Sequence, residues 1–143
     1  MESNVTEVSA GGRRGIDAQR VDFIAVPTQD RERAERFYAE TLGLRKNPNS
    51  TETWIEFETG NVTLALVTPT EIGLPFEPLP FASIVLRVPN VADARARLEA
   101  AAVEFKGETF DSGVCNGAAF RDPDGNGLTI HHRYAPYSDG TKP

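Results

Sequence analysis

With a single cysteine, Cys115, the chain has no partner for an internal disulfide, so packing and hydrogen bonds have to hold the fold. A lone thiol agrees with a reducing compartment. Nothing in the sequence pairs with Cys115 to activate it, and it reads as a small buried or loop side chain rather than a nucleophile. No apolar run approaches the ~20 residues that cross a bilayer, and this argues against a membrane role. The opening MESNVTEVSAGGRRGIDAQR lacks an apolar centre and begins with an acid, so it does not resemble a secretory signal. A cytoplasmic location is the expectation. Positive charge is scarce as well: 15 Lys and Arg stand against 21 Asp and Glu, a net charge of -6. That balance disfavours a nucleic-acid polymer or an anionic membrane as partner, and it leaves room for a local basic pocket. The remainder is ordinary for a globular chain, with 39% hydrophobic and 25% charged residues. A domain near this length buries roughly 68–70% of its unfolded surface.

The chain repeats itself. FIAVPTQDRERAERF, from Phe23, and SIVLRVPNVADARARL, from Ser83, both read strand, turn, helix, with Ile24 answering to Ile84, Val26 to Leu86, Asp30 to Asn90 and Ala34 to Ala94. WIEFETGNVTLALV and GAAFRDPDGNGLTIHH then both read strand, turn, strand, with Phe57 answering to Phe120 and the second turn one residue longer. Two strand-helix-strand-strand-strand units follow, and the strand after each helix carries the weakest pattern. In the first helix Ala34, Phe37, Tyr38, Thr41 and Leu42 recur on one face, Asp30 caps the start and Gly43 suits a left-handed stop. Val91, Ala94, Leu98 and Ala101 form the second stripe, capped by Asn90 with Asp93 three residues on, as in a capping box. Between the copies, TPTEIGLPFEPLPF holds four prolines and reads as an irregular linker. The expected organisation is a flexible arm over 1–18, a first module over 19–68, a linker over 69–80, a second module over 81–134 and a tail over 135–143.

VPTQDRERAERFYAETLGL, IVLRVPNVADARARLEAAAVEF and FRDPDGNGLTIHH, in that order and spacing, resemble the vicinal oxygen chelate superfamily, which includes glyoxalase I, bleomycin-resistance proteins and extradiol dioxygenases. The resemblance spans about residues 21 to 133. It implies an α+β fold of two βαβββ modules, a cupped mixed sheet with helices outside, and a homodimer. In metal-using relatives four strand residues hold a divalent ion on which two substrate oxygens chelate. Carried over, those positions become Phe23, Ala65, Ser83 and Thr129. Two have no donor and two are neutral hydroxyls, so the expectation is no metal and no cofactor. Moving the last strand by one residue substitutes Leu128 or Ile130, which does not restore a ligand; moving it by two substitutes His131.

Strand alternation assigns the other cup residues. His131 and Arg133 share the face of Thr129, Val85 and Arg87 that of Ser83, and Ala25 that of Phe23. If Ile55 and Phe57 pack beneath the helix, Trp54 and Glu56 look into the cup, as do Ala119 and Arg121 by the repeat. An apolar floor with an aromatic wall and a few polar groups suits a small organic ligand, and the arginines extend this to an anionic or aromatic one. The leading expectation is sequestration of such a ligand, as in bleomycin resistance. A second is a metal-free lyase or isomerase with His131 as base, since imidazole exchanges protons near neutrality, and Glu56 as the carboxylate orienting it. A third is a metal enzyme with rearranged ligands, of the glyoxalase or dioxygenase type. A fourth is a sensor of an anionic metabolite or nucleotide. For Arg87 and Arg133 the plainer reading is a rim position neutralised by glutamates, for His132 packing or capping, and for Asp122 and Asp124 a turn role rather than calcium binding.

Overall fold

A computed structural model describes residues 15–143. β1 (Phe23–Pro27) leads into α1 (Arg31–Arg36), which widens into a π turn over Phe37–Thr41, and β2 (Arg45–Lys46), β3 (Ile55–Glu58) and β4 (Thr63–Val67) complete one unit. A 3-10 turn at Pro69–Ile72 precedes the second unit: β5 (Ile84–Arg87), α2 (Val91–Ala100), β6 (Phe105–Asp111), β7 (Cys115–Arg121) and β8 (Gly127–Arg133). Each unit builds its own four-stranded mixed sheet, in the orders β1-β4-β3-β2 and β5-β8-β7-β6. In both, the first strand runs parallel to the last and the others are antiparallel. The α+β class that the resemblance implies is the class observed. Of the expected N-terminal arm, residues 1–14 lie outside the described residues, and the stretch from Gly15 to Asp22 is exposed coil.

The strand after each helix was the weakest signal, and the two copies resolve it differently. β2 has two residues, whereas β6 has seven with a register irregularity between Lys106 and Phe110. The caps form as their side chains dictate: Asp30 accepts from the Arg33 amide at 3.1 Å and Asn90 from the Asp93 amide at 2.8 Å. The apolar spacing of the first helix suggests α throughout. Instead Gly43, at φ 72°, turns the chain so that the Leu44 amide reaches the Tyr38 carbonyl, and the Leu42 amide bonds back to Phe37.

One face of each sheet is covered and the other carries no helix. Val26, Ile55, Phe57, Leu64 and Leu66 pack with Ala34, Phe37 and Tyr38, and Ile84, Ala118, Phe120, Leu128 and Ile130 pack with Val91 and Leu98, in one continuous core. Burying each large apolar side chain contributes about 1.5–3 kcal/mol, and the period of two sends every alternate residue to the helix-free face.

The turn Asp122-Pro123-Asp124-Gly125-Asn126 joins the two units. Buried Asp122 accepts from the Tyr38 hydroxyl at 2.7 Å, the Asn126 side-chain amide at 2.8 Å and the backbone amides of Asp124 and Asn126 at 2.9 Å. Asn126 also donates to the Pro27 carbonyl at 2.8 Å. Asp124, its side chain fully buried, accepts from the Thr28 hydroxyl, the Gln29 amide and Arg33. Gly127 has to be glycine because the linker crosses it: its amide donates to the Leu79 carbonyl, and a Cβ there would run into the Pro80 carbonyl. The equivalent turn of the first unit, one residue shorter and without acids, makes no such plug. A cleft of about 510 Å³ opens there, lined by Asn61, Arg87, Asn90 and Arg97 among others.

Burial, followed by the Asp122 charge, pushes the Tyr38 hydroxyl far above the ordinary phenol range. Above about pH 10 the unfolded chain releases a proton that the native chain keeps, so stability falls as pH rises. The expected slope is about 1.4 kcal/mol per pH unit from this group. Urea unfolding between pH 9 and pH 11 should show the slope shrinking in Tyr38→Phe, and an identical slope in both proteins would refute the assignment.

Candidate functional site

On the first sheet, Ala25, Ala65 and Glu56 are cross-strand neighbours, as are Phe23, Thr63 and Glu58. Their covered counterparts Val26, Leu64, Ile55 and Phe57 lie in the core, so this row faces away from the helix. Ala65 is fully buried among its sheet neighbours. Phe23 and Trp54 meet edge to face, with centroids 5.4 Å apart and planes at 87°. They stay 44% and 37% exposed, an aromatic corner open to solvent. The Trp54 indole donates to Glu56 at 2.6 Å, which fixes both side chains. Glu58 accepts from Asn47 at 2.8 Å and Thr63 at 2.9 Å, and these bonds hold its carboxyl below the usual range.

On the second sheet Val85, Thr129 and Ala119 align, as do Arg87, His131 and Gly117. Arg121 pairs with Gly127 and Lys106 with Ala119, which puts both on the same face. Val85 is 51% exposed, whereas Thr129 is only 5% exposed and its Oγ1 has no hydrogen-bond partner. Ser83, ahead of β5, donates to the Pro80 carbonyl at 2.7 Å.

Phe110 was absent from the residues read out of the sequence. Its ring lies across Gly117, where a Cβ would stand 2.7 Å from two ring atoms, and its centroid is 6.4 Å from His131. The available signal was Gly117 itself, since a glycine inside a strand marks a close approach.

The structure departs from several expectations of the sequence. Within one chain Glu56 and His131 lie on different sheets, and the Glu56 carboxylate accepts from the Trp54 indole. Among the described residues no glutamate pairs with Arg87 or Arg133. Arg133 donates to the Ala135 and Pro136 carbonyls and stacks on Tyr137 at 4.5 Å, and Arg87 donates to the Arg133 carbonyl at 3.3 Å. His132, on the covered side, contacts the Val88 carbonyl at 2.9 Å. Asp122 and Asp124 serve the turn and also lock the two units together, a long-range role that turn chemistry does not reveal.

The four positions at which metal-using relatives hold an ion do not fit one. Phe23 and Ala65 offer no donor atom, and the hydroxyls of Ser83 and Thr129 are weak ligands for a divalent ion. Among the described residues no group of three or more His, Cys, Asp or Glu side chains is placed to hold a metal. Nor is any described helix long and apolar enough to cross a membrane.

Comparison with known proteins agrees with this fold. The family model described as "Glyoxalase/Bleomycin resistance protein/Dioxygenase superfamily" matches residues 20–130. Among solved structures, TnmS3, an antibiotic binding protein from Streptomyces sp. CB03234, is 27% identical with a TM-score of 0.68, covering 83% of this chain and 99% of its own. A superfamily member from Sphaerobacter thermophilus DSM 20745 is 22% identical with a TM-score of 0.69, covering 82% and 100%. A lactoylglutathione lyase from Agrobacterium tumefaciens is 18% identical with a TM-score of 0.65, covering 80% and 94%; at these lower identities the likeness is one of fold. No functionally curated protein matches the sequence.

Proposed function

The chain belongs to the Glyoxalase/Bleomycin resistance protein/Dioxygenase superfamily, and from that premise we propose that it binds and sequesters a small aromatic or anionic organic molecule in the cytoplasm without a metal ion. The observation that carries this reading is the open aromatic corner of Phe23 and Trp54, set beside Ala65 on a face whose chelating positions hold hydrocarbon and hydroxyl groups. The similarity to an antibiotic-binding protein supports sequestration over turnover.

A second copy of the chain completes the cup. The two helix-free faces belong to separate sheets, and β1 and β5 are both edge strands. Val85 and Phe110 remain about half exposed, as Phe23 does, which is more apolar surface than a finished pocket leaves in water. The faces also complement each other in charge. The first carries Glu56 and Glu58 against Arg45, and the second carries Arg87, Lys106 and Arg121, with Glu108 on its edge strand. A symmetric dimer that sets the first face of each copy on the second face of the other buries both twice.

Sedimentation equilibrium combined with a thermal-shift screen of aromatic antibiotics, acyl thioesters and nucleotides tests both parts. The expected result is a dimer at micromolar concentration and a ligand that raises the melting temperature, with Val85→Asp shifting the protein to monomer. A monomer that binds at full affinity would remove the dimeric cup, and a screen with no stabilising compound would count against the pocket.

A further inference from the structure

Resting on that ligand-binding reading, we propose that Thr129 makes the cup selective for guests that present an oxygen acceptor, a carbonyl or carboxylate, next to an aromatic ring. Thr129 sits mid-strand in β8, between Val85 and Ala119 on the helix-free face, and is 5% exposed. Its hydroxyl has neither donor nor acceptor within reach among the described residues. A buried hydroxyl left unpaired is unfavourable, and the deficit is relieved when a partner arrives. The strand above it offers none, because Val85 and Ala119 end in methyl groups. The missing partner has to come from the helix-free side, where the guest sits.

The surroundings decide which partner. Arg87, Lys106 and Arg121 share the face, so the local field favours the electron-rich end of a dipole. A carbonyl oxygen satisfies that field and accepts the threonine proton, whereas an ammonium group meets repulsion. Rotation about χ1 exchanges the hydroxyl and methyl of Thr129, so the donor can turn to meet a guest without backbone movement. The aromatic part of the guest then falls to Phe23 and Trp54 on the opposing face.

A matched pair of probes tests this: 2-acetylnaphthalene and 2-isopropenylnaphthalene, nearly equal in shape and differing in the acceptor. Binding is measured by isothermal titration calorimetry on the wild-type protein, Thr129→Val and Thr129→Ser. The ketone should bind the wild type roughly tenfold more tightly than the hydrocarbon. Thr129→Val should abolish that ratio by weakening the ketone toward the hydrocarbon, and Thr129→Ser should keep most of it. Thr129→Val should also melt no lower than the wild type, because it removes an unpaired group without changing shape. Equal binding of both probes to the wild type, or a ratio that survives Thr129→Val, overturns the selectivity and leaves the pocket standing. Failure of both probes to bind overturns the pocket reading and the selectivity with it.

Discussion

Asp122→Ala should lower the unfolding free energy by about 3–5 kcal/mol. Four donors converge on that carboxylate: the Tyr38 hydroxyl, the Asn126 side chain and two backbone amides. All would lose their acceptor in a site closed to water, and an unpaired buried group costs about 1–3 kcal/mol. Domains of this kind are stable by about 5–15 kcal/mol in total, so the variant sits near its folding limit. Asp122→Asn keeps one acceptor oxygen and should lose less, giving a measurable protein if the alanine form does not fold. Urea denaturation at neutral pH provides both values. A double-mutant cycle with Tyr38→Phe should show coupling, since the two groups are 2.7 Å apart. A loss below 1 kcal/mol for Asp122→Ala would mean that the turn does not join the units.

Trp54→Ala should weaken binding of an aromatic guest by roughly 30-fold or more, the scale at which a central aromatic anchor acts. Two contributions combine. The indole face is lost, and Phe23 loses the neighbour that holds its ring on edge. Glu56 is freed from the indole at the same time and introduces a mobile carboxylate. Trp54→Phe, which keeps an aromatic face and releases only the hydrogen bond, should lose less than tenfold. Calorimetry is the suitable readout because the substitution removes the intrinsic fluorophore. Equal affinity for the wild type and Trp54→Ala would place the guest elsewhere.

The repeat made the fold legible. Ile55 and Phe57 alternate with Glu56 and Glu58, and a period of two with one apolar partner set allows a single register. The caps at Asp30 and Asn90 were equally visible, because their side chains act within one turn of the chain. What stayed hidden depends on contacts far apart in sequence. Nothing near Asp122 announces that Tyr38 will donate to it across 84 positions. Phe110 escaped notice because an irregular register in β6 interrupts the alternation from which its face could be read. Arg133 looked free for a ligand or a glutamate, yet the carbonyls of its own tail satisfy it. For Glu56 and His131, alternation assigns a face to each and does not tell which sheet opposes which.

Titration of an aromatic ligand into the protein before and after exhaustive chelation, with metal content assayed in both samples, tests the central claim most directly. A cup that holds its guest by aromatic contact and hydrogen bonds predicts dissociation constants equal within about twofold, and no change on adding nickel, zinc or manganese. Binding that vanishes on chelation and returns with one ion per cup would contradict it.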